Sequence, residues 1–355
     1  MTQSTERLPP ELFEMVVKCF DKVEDKDILI NIAMTNKRNY HCILPYIYET
    51  LRLCYISRLE ILLGSLINSR NNMNFTRLEM IKCLDLSFLS LISYELLEVT
   101  FNVLGPYLEK LIASNVVHLY DNLLLNLISH KKLKSLTLNN NYNLTDYSFE
   151  LLSESLSETL VELNVQHLSR VSPLILCKLL KNLPKLKALS LCSFRNYTSS
   201  SLLKIMKRIN STLQSLKIDQ IDFELDTIEP IFGQLYENIT TLELGLWFDF
   251  DISDLINLFS RKNATPNITS LTLHLNRISD DITDLYKELK PLKELLPKLK
   301  YLGIKGIQTR LLELHRFIEE WKDLKYLLFC PSIQLSSKIE NSFRKKATFK
   351  LIVYK

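Results

Sequence analysis

Histidine and cysteine side chains are the ones that most often hold metals or attack substrates, and this sequence has six histidines and seven cysteines. Their spacing supports neither chemistry. The cysteines never form a C-x-x-C pair, and the histidines never form the H-E-x-x-H motif of zinc proteases. The phosphate-binding and nucleophile motifs G-x-x-x-x-G-K-[ST], G-x-G-x-x-G and G-x-S-x-G do not occur. The sequence therefore predicts a protein that is not an enzyme and that has no metal or cofactor.

The cysteine pattern also indicates a compartment. Seven cysteines, odd in number and scattered, are typical of reduced thiols in a cytoplasmic or nuclear protein. A lone cysteine such as Cys192 is expected to be a small packing or surface residue. The first residues, "MTQSTERLPPELFEMVV", have no apolar core of a secretory signal, and no stretch approaches 18 uncharged apolar residues. We therefore expect no membrane association.

Charge is modest overall but unevenly distributed. The net charge is +4 and no short Lys/Arg tract dominates, so nucleic-acid binding is not indicated. Residues 130–210 carry 12 Lys/Arg against 5 Asp/Glu, residues 211–260 one Lys against ten acids, and residues 261–355 19 against 10. The acidic band could be a solvated face. Alternatively, it could steer a basic segment of a partner.

A hexad of the form L-x-x-L-x-L recurs along most of the chain, which indicates an internal repeat. Its ten matches begin at residues 81, 108, 133, 160, 186, 213, 239, 268, 299 and 324, for example "LKSLTL" at 133 and "LKALSL" at 186. The intervals run from 25 to 31 residues. Side chains alternate along a strand, so each hexad predicts a short strand with one apolar face.

Between the hexads lie helix-like runs, such as "TDYSFELLSESLS" and "PLILCKLLKNL". Each run is long enough for the crossover that joins two parallel strands. Thr145 or Asp146 is expected to cap one helix, and Pro173 to occupy the first turn of another. One such unit buries too few leucines to offset its ordering entropy, so consecutive units must stack into a solenoid.

This pattern resembles the leucine-rich repeat family. The longer form between Leu136 and Leu152 resembles the subclass common in F-box proteins, with Asn141 where that subclass usually has Cys. The resemblance implies an α/β solenoid with parallel strands on the concave face and helices on the convex face. We expect about ten repeats over residues 78–355, with "FKLIVY" at 349–354 as a last, capping strand.

In the first fifty residues the spacing of apolar residues differs from that of the repeats. "LPPELFEMVVKCF" places apolar residues on one helical face, "DKDILINIAM" follows, and "TNKRNYHCILPYIYETLRL" gives a third element. This order resembles the F-box, including its "LP-x-x-Y-x-x-L-x-L" tail from Leu44 to Leu53. Tyr40 is the nearest aromatic to the position where the third F-box helix often has Trp. We therefore predict an F-box-like domain over residues 5–53 and a helical connection over 54–77.

The combined resemblance implies a non-catalytic substrate adaptor. In this family the F-box docks on a Skp-type adaptor of a cullin-RING ubiquitin ligase, and the repeats hold the protein to be ubiquitinated. The residues that match the apolar, adaptor-facing set are Leu8, Pro9, Leu12, Val16, Phe20, Ile28 and Leu29. A scaffold that uses both parts without ubiquitination is the alternative. A leucine-rich GTPase regulator is a third possibility, against which the first fifty residues count.

A target protein is expected on the concave face. If Leu136 and Leu138 face the core, their odd-numbered neighbours face that surface, and the same register extends to each repeat. In the first repeat this predicted surface includes Cys83 and Asp85. The predicted target-binding residues are Glu162, Asn164, Lys217, Asp219, Glu243, Trp247, His274, Tyr301, Lys305 and Tyr326. Trp247 lies in "LGLWFDFD", where it could anchor a partner or pack in the core, and a Trp247→Ala variant would distinguish the two.

Overall fold

The computed structural model describes residues 26–35, 37–69, 75–192, 204, 212–219, 238–246, 252–260, 266–275, 285–307, 320–321, 323–331 and 350–353. The chain divides into two compact units, Met1–Thr137 and Leu138–Lys355. The predictions for Leu8, Pro9, Leu12, Val16, Phe20 and Trp247 lie outside the described residues.

The first unit begins with helices and continues into strands that alternate with helices. Its α-helices are Lys26–Ala33, Lys37–Glu49, Ile56–Ser69, Tyr94–Leu104 and Asp121–Ile128. Short 3-10 helices span Phe75–Met80 and Gly105–Tyr107. Its strands are β1 (Thr50–Arg52), β2 (Cys83–Asp85) and β3 (Lys110–Ser114). The next strand, β4 (Ser135–Asn139), contains the boundary between the units.

The second unit continues the alternation. Its strands are β5 (Glu162–Gln166), β6 (Ala188–Cys192), β7 (Ser215–Asp219), β8 (Thr241–Leu246), β9 (Ser270–Leu275), β10 (Tyr301–Ile307), β11 (Tyr326–Pro331) and β12 (Lys350–Val353). Its described α-helices are Asp146–Ser155, Pro173–Lys181, Ile252–Ser260 and Leu285–Leu295. No helix among the described residues is both long enough and apolar enough to cross a membrane.

Within each unit the strands pair in parallel and in sequence order. β1 pairs with β2 and β2 with β3, while β5 to β12 form an unbroken series of neighbours. From β2 to β11, each strand begins two residues after the start of a predicted hexad. β12 lies in the predicted last strand. The α/β class and the parallel strands are therefore confirmed.

A row of leucines forms the centre of each unit. The second residue of every strand from β2 to β11 is a leucine, and each of these leucines is at most 2% exposed. They are Leu84, Leu111, Leu136, Leu163, Leu189, Leu216, Leu242, Leu271, Leu302 and Leu327. Burial of one leucine side chain contributes roughly 1.5–3 kcal/mol, so this row is a main source of stability.

The entry of the chain into each strand is fixed by a repeated hydrogen-bond pattern. The carbonyl of Val161 accepts the N–H groups of Lys187 and Ala188, at 2.8 and 3.1 Å. The same double acceptance recurs in the second unit at Lys187, Gln214, Thr240, Thr269 and Lys300. Because the offset is constant, equivalent residues of neighbouring strands lie side by side. Side chains distant in sequence are thereby brought into rows.

Helix starts follow the predicted capping residues. The Thr145 side chain accepts the Tyr147 N–H at the start of Asp146–Ser155, and Pro173 is the first residue of Pro173–Lys181. Asp146 has a further contact, because its carboxylate accepts the N–H and the hydroxyl of Ser172 at 2.6 and 2.7 Å. One residue of a helix start thus orders the start of the next helix.

The sheet begins earlier than the repeat pattern predicts. Helix Lys37–Glu49 runs directly into β1, which pairs with β2, and the Glu49 carbonyl accepts the Lys82 N–H at 3.0 Å. The predicted tail motif from Leu44 to Leu53 is therefore partly helix and partly strand. The sequence here, "YETLRL" at 48–53, matches the hexad at its second and third leucines but has tyrosine at its first position, so it was not counted as a repeat.

Candidate functional site

Five of the predicted target-binding residues meet on one face of the second unit. Lys217 and Asp219 lie on β7, Glu243 on β8, His274 on β9 and Lys305 on β10. All occupy odd positions of their strands, on the face opposite the leucine row. We call these five residues the charged cluster. They span residues 217 to 305 of the sequence, and strand pairing makes them neighbours.

Glu243 is the centre of the charged cluster. Its Oε1 atom lies 2.9 Å from Nζ of Lys217, 2.5 Å from Nε2 of His274 and 3.1 Å from Nζ of Lys305. Its side chain is 22% exposed, so three cationic partners surround a carboxylate that retains limited access to water. Charge-assisted hydrogen bonds of this kind are about twice as strong as neutral ones.

His274 joins the two acids. Its Nδ1 atom lies 3.0 Å from Oδ2 of Asp219, while Nε2 contacts Glu243. β8 lies between β7 and β9, and its Gly245 is the residue paired with His274. Because glycine has no side chain, the imidazole can extend across β8 to a residue two strands away. An isolated glycine within a strand often marks such a close approach.

The contacts set the protonation states of the cluster. Burial alone would raise the pKa of Glu243, but hydrogen bonds from His274 and Lys217 and the lysine charges outweigh it, so the pKa lies well below its usual value. Burial alone would lower the pKa of His274, yet its hydrogen bonds to Asp219 and Glu243 raise it. The pKa of Lys217 is raised by Glu243 despite burial. His274 is therefore able to donate from both nitrogens as an imidazolium.

The acidic band predicted over residues 211–260 is locally balanced. Its two described acids on this strand face, Asp219 and Glu243, contact Lys217 and two cations from beyond the band, His274 and Lys305. Sequence reasoning did not find this compensation, because it depends on which strands are neighbours. It also missed Gly245, although a glycine inside a strand pattern in a chain with six glycines was an available signal.

The other predicted target-binding residues lie apart from the cluster or beside it. Glu162 is exposed and Asn164 half-buried on β5, where the Asn164 side chain accepts a hydrogen bond from Gln166 at 3.0 Å. Tyr301 and Tyr326 are paired residues of β10 and β11, and their ring centroids are 6.3 Å apart. Tyr301 shares its strand with Lys305, so the tyrosine pair and the charged cluster lie on one continuous surface.

Two predicted surface residues in the first unit are covered. Cys83 is 8% exposed and Asp85 is 2% exposed, so the expectation that both face solvent was wrong. The reason is β1, which pairs with β2 and places Arg52 beside Asp85, with Nε 2.6 Å from Oδ2. Asp85 also accepts the Ser87 N–H at 3.0 Å. The pair anchors the first strand rather than offering a binding surface.

The predicted adaptor-facing set has two described members, which lie in different environments. Ile28 is 47% exposed on helix Lys26–Ala33. Leu29 is fully buried in a small core with Ala33 and Ile43. Leu29 therefore holds the helix in place, and Ile28 is the member of this pair whose side chain is accessible to a partner.

The described residues offer little for covalent or metal chemistry. Burial raises the pKa of the Cys192 thiol to about 11, so it stays protonated and weakly nucleophilic. Of the two predicted alternatives, a packing or a surface residue, its 4% exposure corresponds to packing. Within the described parts of the chain, no group of three His, Cys, Asp or Glu side chains is placed to hold a metal ion. The arrangement of the charged cluster suits recognition through hydrogen bonds and charge.

Comparison with known proteins gives a fold but no family. No family profile matches the sequence, and none of the curated proteins matches it. The structure is similar to a chain in the crystal structure of the Rad7 and Elc1 complex in yeast, with a TM-score of 0.58 and 16% sequence identity. The similarity covers 97% of this chain and 90% of that chain.

The parallel strands, the buried leucine row and this similarity define a protein of the leucine-rich-repeat fold. At 16% identity the similarity concerns the fold alone. What the protein binds must be argued from its own residues.

Proposed function

We propose that this chain is a non-catalytic adaptor that binds a target protein through its repeats and a Skp-type adaptor of a cullin ubiquitin ligase through its N-terminal residues. The observation that carries the proposal is the charged cluster with its neighbouring tyrosine pair. These are half-buried, hydrogen-bonding groups on the strand face of a repeat fold. Aromatic and charged side chains of this kind are common in the parts of interfaces that bind proteins.

Two further observations support the N-terminal half of the proposal. The sequence "LPPELFEMVV" resembles the start of an F-box, and Ile28, which matches its apolar set, is exposed. In addition, a chain of similar fold has been crystallised in a complex of two proteins, Rad7 and Elc1. By analogy of fold we propose that this chain also works within a complex.

The thiol state of the described cysteines supports the proposed compartment. Cys42, Cys54, Cys83 and Cys192 carry thiols rather than disulfides. Disulfides are rare where glutathione keeps thiols reduced. We therefore propose that the protein acts in the cytoplasm, the nucleus or both.

The test is affinity purification of the tagged chain followed by identification of the bound proteins. We expect a Skp-type adaptor and a cullin to co-purify with the wild type and to be lost from a Leu12→Glu variant, while a target protein is retained by the repeats. A Gln3→Glu variant adds the same charge outside the apolar set and should keep both partners. Retention of the adaptor by Leu12→Glu would contradict the proposal.

The second candidate is a scaffold protein that would use the same two surfaces to hold a stable complex together, without ubiquitination of the bound protein. The two are separated by the turnover of the retained target. Under the adaptor proposal, the target's half-life lengthens in cells that express Leu12→Glu in place of the wild type. Under the scaffold alternative, the half-life stays the same. A GTPase regulator is excluded if added protein leaves GTP hydrolysis unchanged.

A further inference from the structure

We propose that the charged cluster receives an acidic side chain of the target protein, and that the neighbouring tyrosine pair receives an apolar residue of the same segment. This inference rests on the proposed function, because it names the chemistry of the target that the repeats would hold. It also reverses the partner charge that the acidic band alone suggests. Three arguments support it: the available hydrogen-bond donors, the charge balance of the cluster, and the distance between Lys305 and the tyrosine pair.

Donors are available on both lysines of the cluster. The Lys217 and Lys305 side chains are 30% and 33% exposed, and the described contact of each ammonium group is with Oε1 of Glu243. An ammonium group has three N–H donors, so each lysine keeps donors for a second acceptor. The two side chains approach the same oxygen from strands on either side of Glu243. A carboxylate placed between them could accept from both.

The charge balance also favours an anion. Two carboxylates contact His274 and favour its protonated form, and in that form the cluster has three cations, Lys217, His274 and Lys305. Its two anions are Asp219 and Glu243, so the net charge is one positive unit. A basic segment would meet a like charge in a half-buried setting, whereas an acidic one neutralises the excess.

The proposed segment would run along β10. Tyr301, Gly303 and Lys305 alternate onto the same face of that strand, and the Thr272 side chain of β9 packs against Gly303 between them. Tyr301 and Lys305 are four residues apart, or about 13 Å along a strand. Tyr326, which is 41% exposed, lies beside Tyr301. An extended segment with an acidic residue about four positions from an apolar residue would therefore span both groups.

Glu243 acts as an internal competitor in this arrangement. Its carboxylate accepts hydrogen bonds from the same lysine ammonium groups that an incoming acidic side chain would contact. Replacing it with the isosteric amide should weaken its hold on Lys217 and Lys305 and strengthen binding of an acidic segment. If the cluster instead recruits a basic segment, the same substitution removes an attractive charge and weakens binding. Glu243→Gln therefore gives results of opposite sign for the two possibilities.

The probe is a fluorescein-labelled peptide with four glutamates followed by Gly-Ser-Leu-Tyr, titrated with the full chain at low ionic strength and followed by anisotropy. Matched peptides replace the glutamates with glutamines, lysines or phosphoserines. We expect the glutamate peptide to bind more tightly than the glutamine and lysine peptides. We also expect Lys217→Gln/Lys305→Gln to weaken it about tenfold, a few-fold for each half-exposed lysine. Glu243→Gln should strengthen it.

Lys187→Gln is the matched control, since Lys187 is exposed and lies outside the cluster, and it should leave the affinity unchanged. Thermal unfolding of each variant shows that the fold is intact. The inference is overturned if the lysine peptide binds best, if only the phosphoserine peptide binds, or if the double lysine variant binds the glutamate peptide as the wild type does. None of these results affects whether the Skp-type adaptor co-purifies, so failure here is distinct from failure of the proposed function.

Discussion

Nδ1 of His274 lies 3.0 Å from Oδ2 of Asp219, although the strand that carries Gly245 runs between their two strands. The imidazole reaches across the glycine and contacts Glu243 through its other nitrogen. This link between β7, β8 and β9 makes the charged cluster one hydrogen-bonded unit. It also gives that unit a dependence on pH.

His274 and Glu243 limit the stability of the protein at opposite ends of the pH range. The folded pKa of His274 is raised, so its contribution is full below the ordinary value of 6.5 and is lost as the pH rises through the folded value. The folded pKa of Glu243 is lowered, so its contribution is full above 4.5 and is lost as the pH falls through the folded value. Between 4.5 and 6.5 both contributions are present.

We therefore expect His274→Gln to lower the free energy of unfolding by on the order of 1–2 kcal/mol near pH 6 and by less as the pH rises. Urea denaturation between pH 5.5 and 8.5 measures the difference. His118→Gln, outside the charged cluster, is measured alongside as the matched substitution. A loss that stays constant across this range would show that the His274 contacts do not depend on its charge.

Gly303 predicts a steric coupling between neighbouring strands. A Cβ atom at Gly303 would lie 2.8 Å from Oγ1 and 3.0 Å from Cγ2 of Thr272, which is 7% exposed. We expect Gly303→Ala to cost roughly 1–3 kcal/mol of stability, as overpacking usually does. Adding Thr272→Ala removes both atoms and should recover part of the loss. Chemical denaturation of the two single variants and the double variant measures the coupling.

Gly64 provides the matched control for this substitution. A Cβ at Gly64 meets nothing within 4 Å, and the residue lies inside helix Ile56–Ser69. Alanine is favoured over glycine in helices, so Gly64→Ala should stabilise the protein by about 0.5–1 kcal/mol. Equal effects at Gly64 and Gly303 would rule out the steric explanation.

The Arg52–Asp85 pair joins β1 to β2 through a buried carboxylate, so we expect its loss to lower the stability of the protein. Asp85 is 2% exposed, and removing Arg52 leaves its carboxylate with the Ser87 N–H but without its cationic partner. Breaking a buried pair costs about 3–5 kcal/mol, and less here because Arg52 is 40% exposed. We expect Arg52→Met to lower stability by about 2 kcal/mol, measured by urea denaturation. Adding Asp85→Asn removes the unpaired charge and should lessen the loss.

The exposed apolar residues near the N terminus give a matched pair for adaptor binding. Ile28 matches the F-box apolar set and is 47% exposed, whereas Met34 follows the same helix, is 79% exposed and lies outside that set. We expect Ile28→Glu to abolish co-purification with a co-expressed Skp-type adaptor and Met34→Glu to preserve it. Both variants should unfold at the wild-type temperature. Loss of binding in both would indicate general apolar association instead.

The positions of the strands were predictable from the sequence because their signal is local. A leucine at every second position fixes which side of a strand is buried, and the hexads marked β2 to β11 with a constant offset of two residues. The capping position of Thr145 and the helical start at Pro173 were local as well. β1 was missed because its hexad, "YETLRL" at 48–53, keeps the second and third leucines but begins with tyrosine.

The spacing of leucines was enough to predict the repeat period, the strands and the set of side chains on their polar face. The contacts among those side chains follow from strand pairing, which the spacing does not specify. Glu243 is 31 residues from His274 and 62 from Lys305, and strand pairing brings all three to one oxygen atom. Counting charges along residues 211–260 does not reveal these contacts, because two of the cations that contact Glu243 lie on other strands, outside that segment.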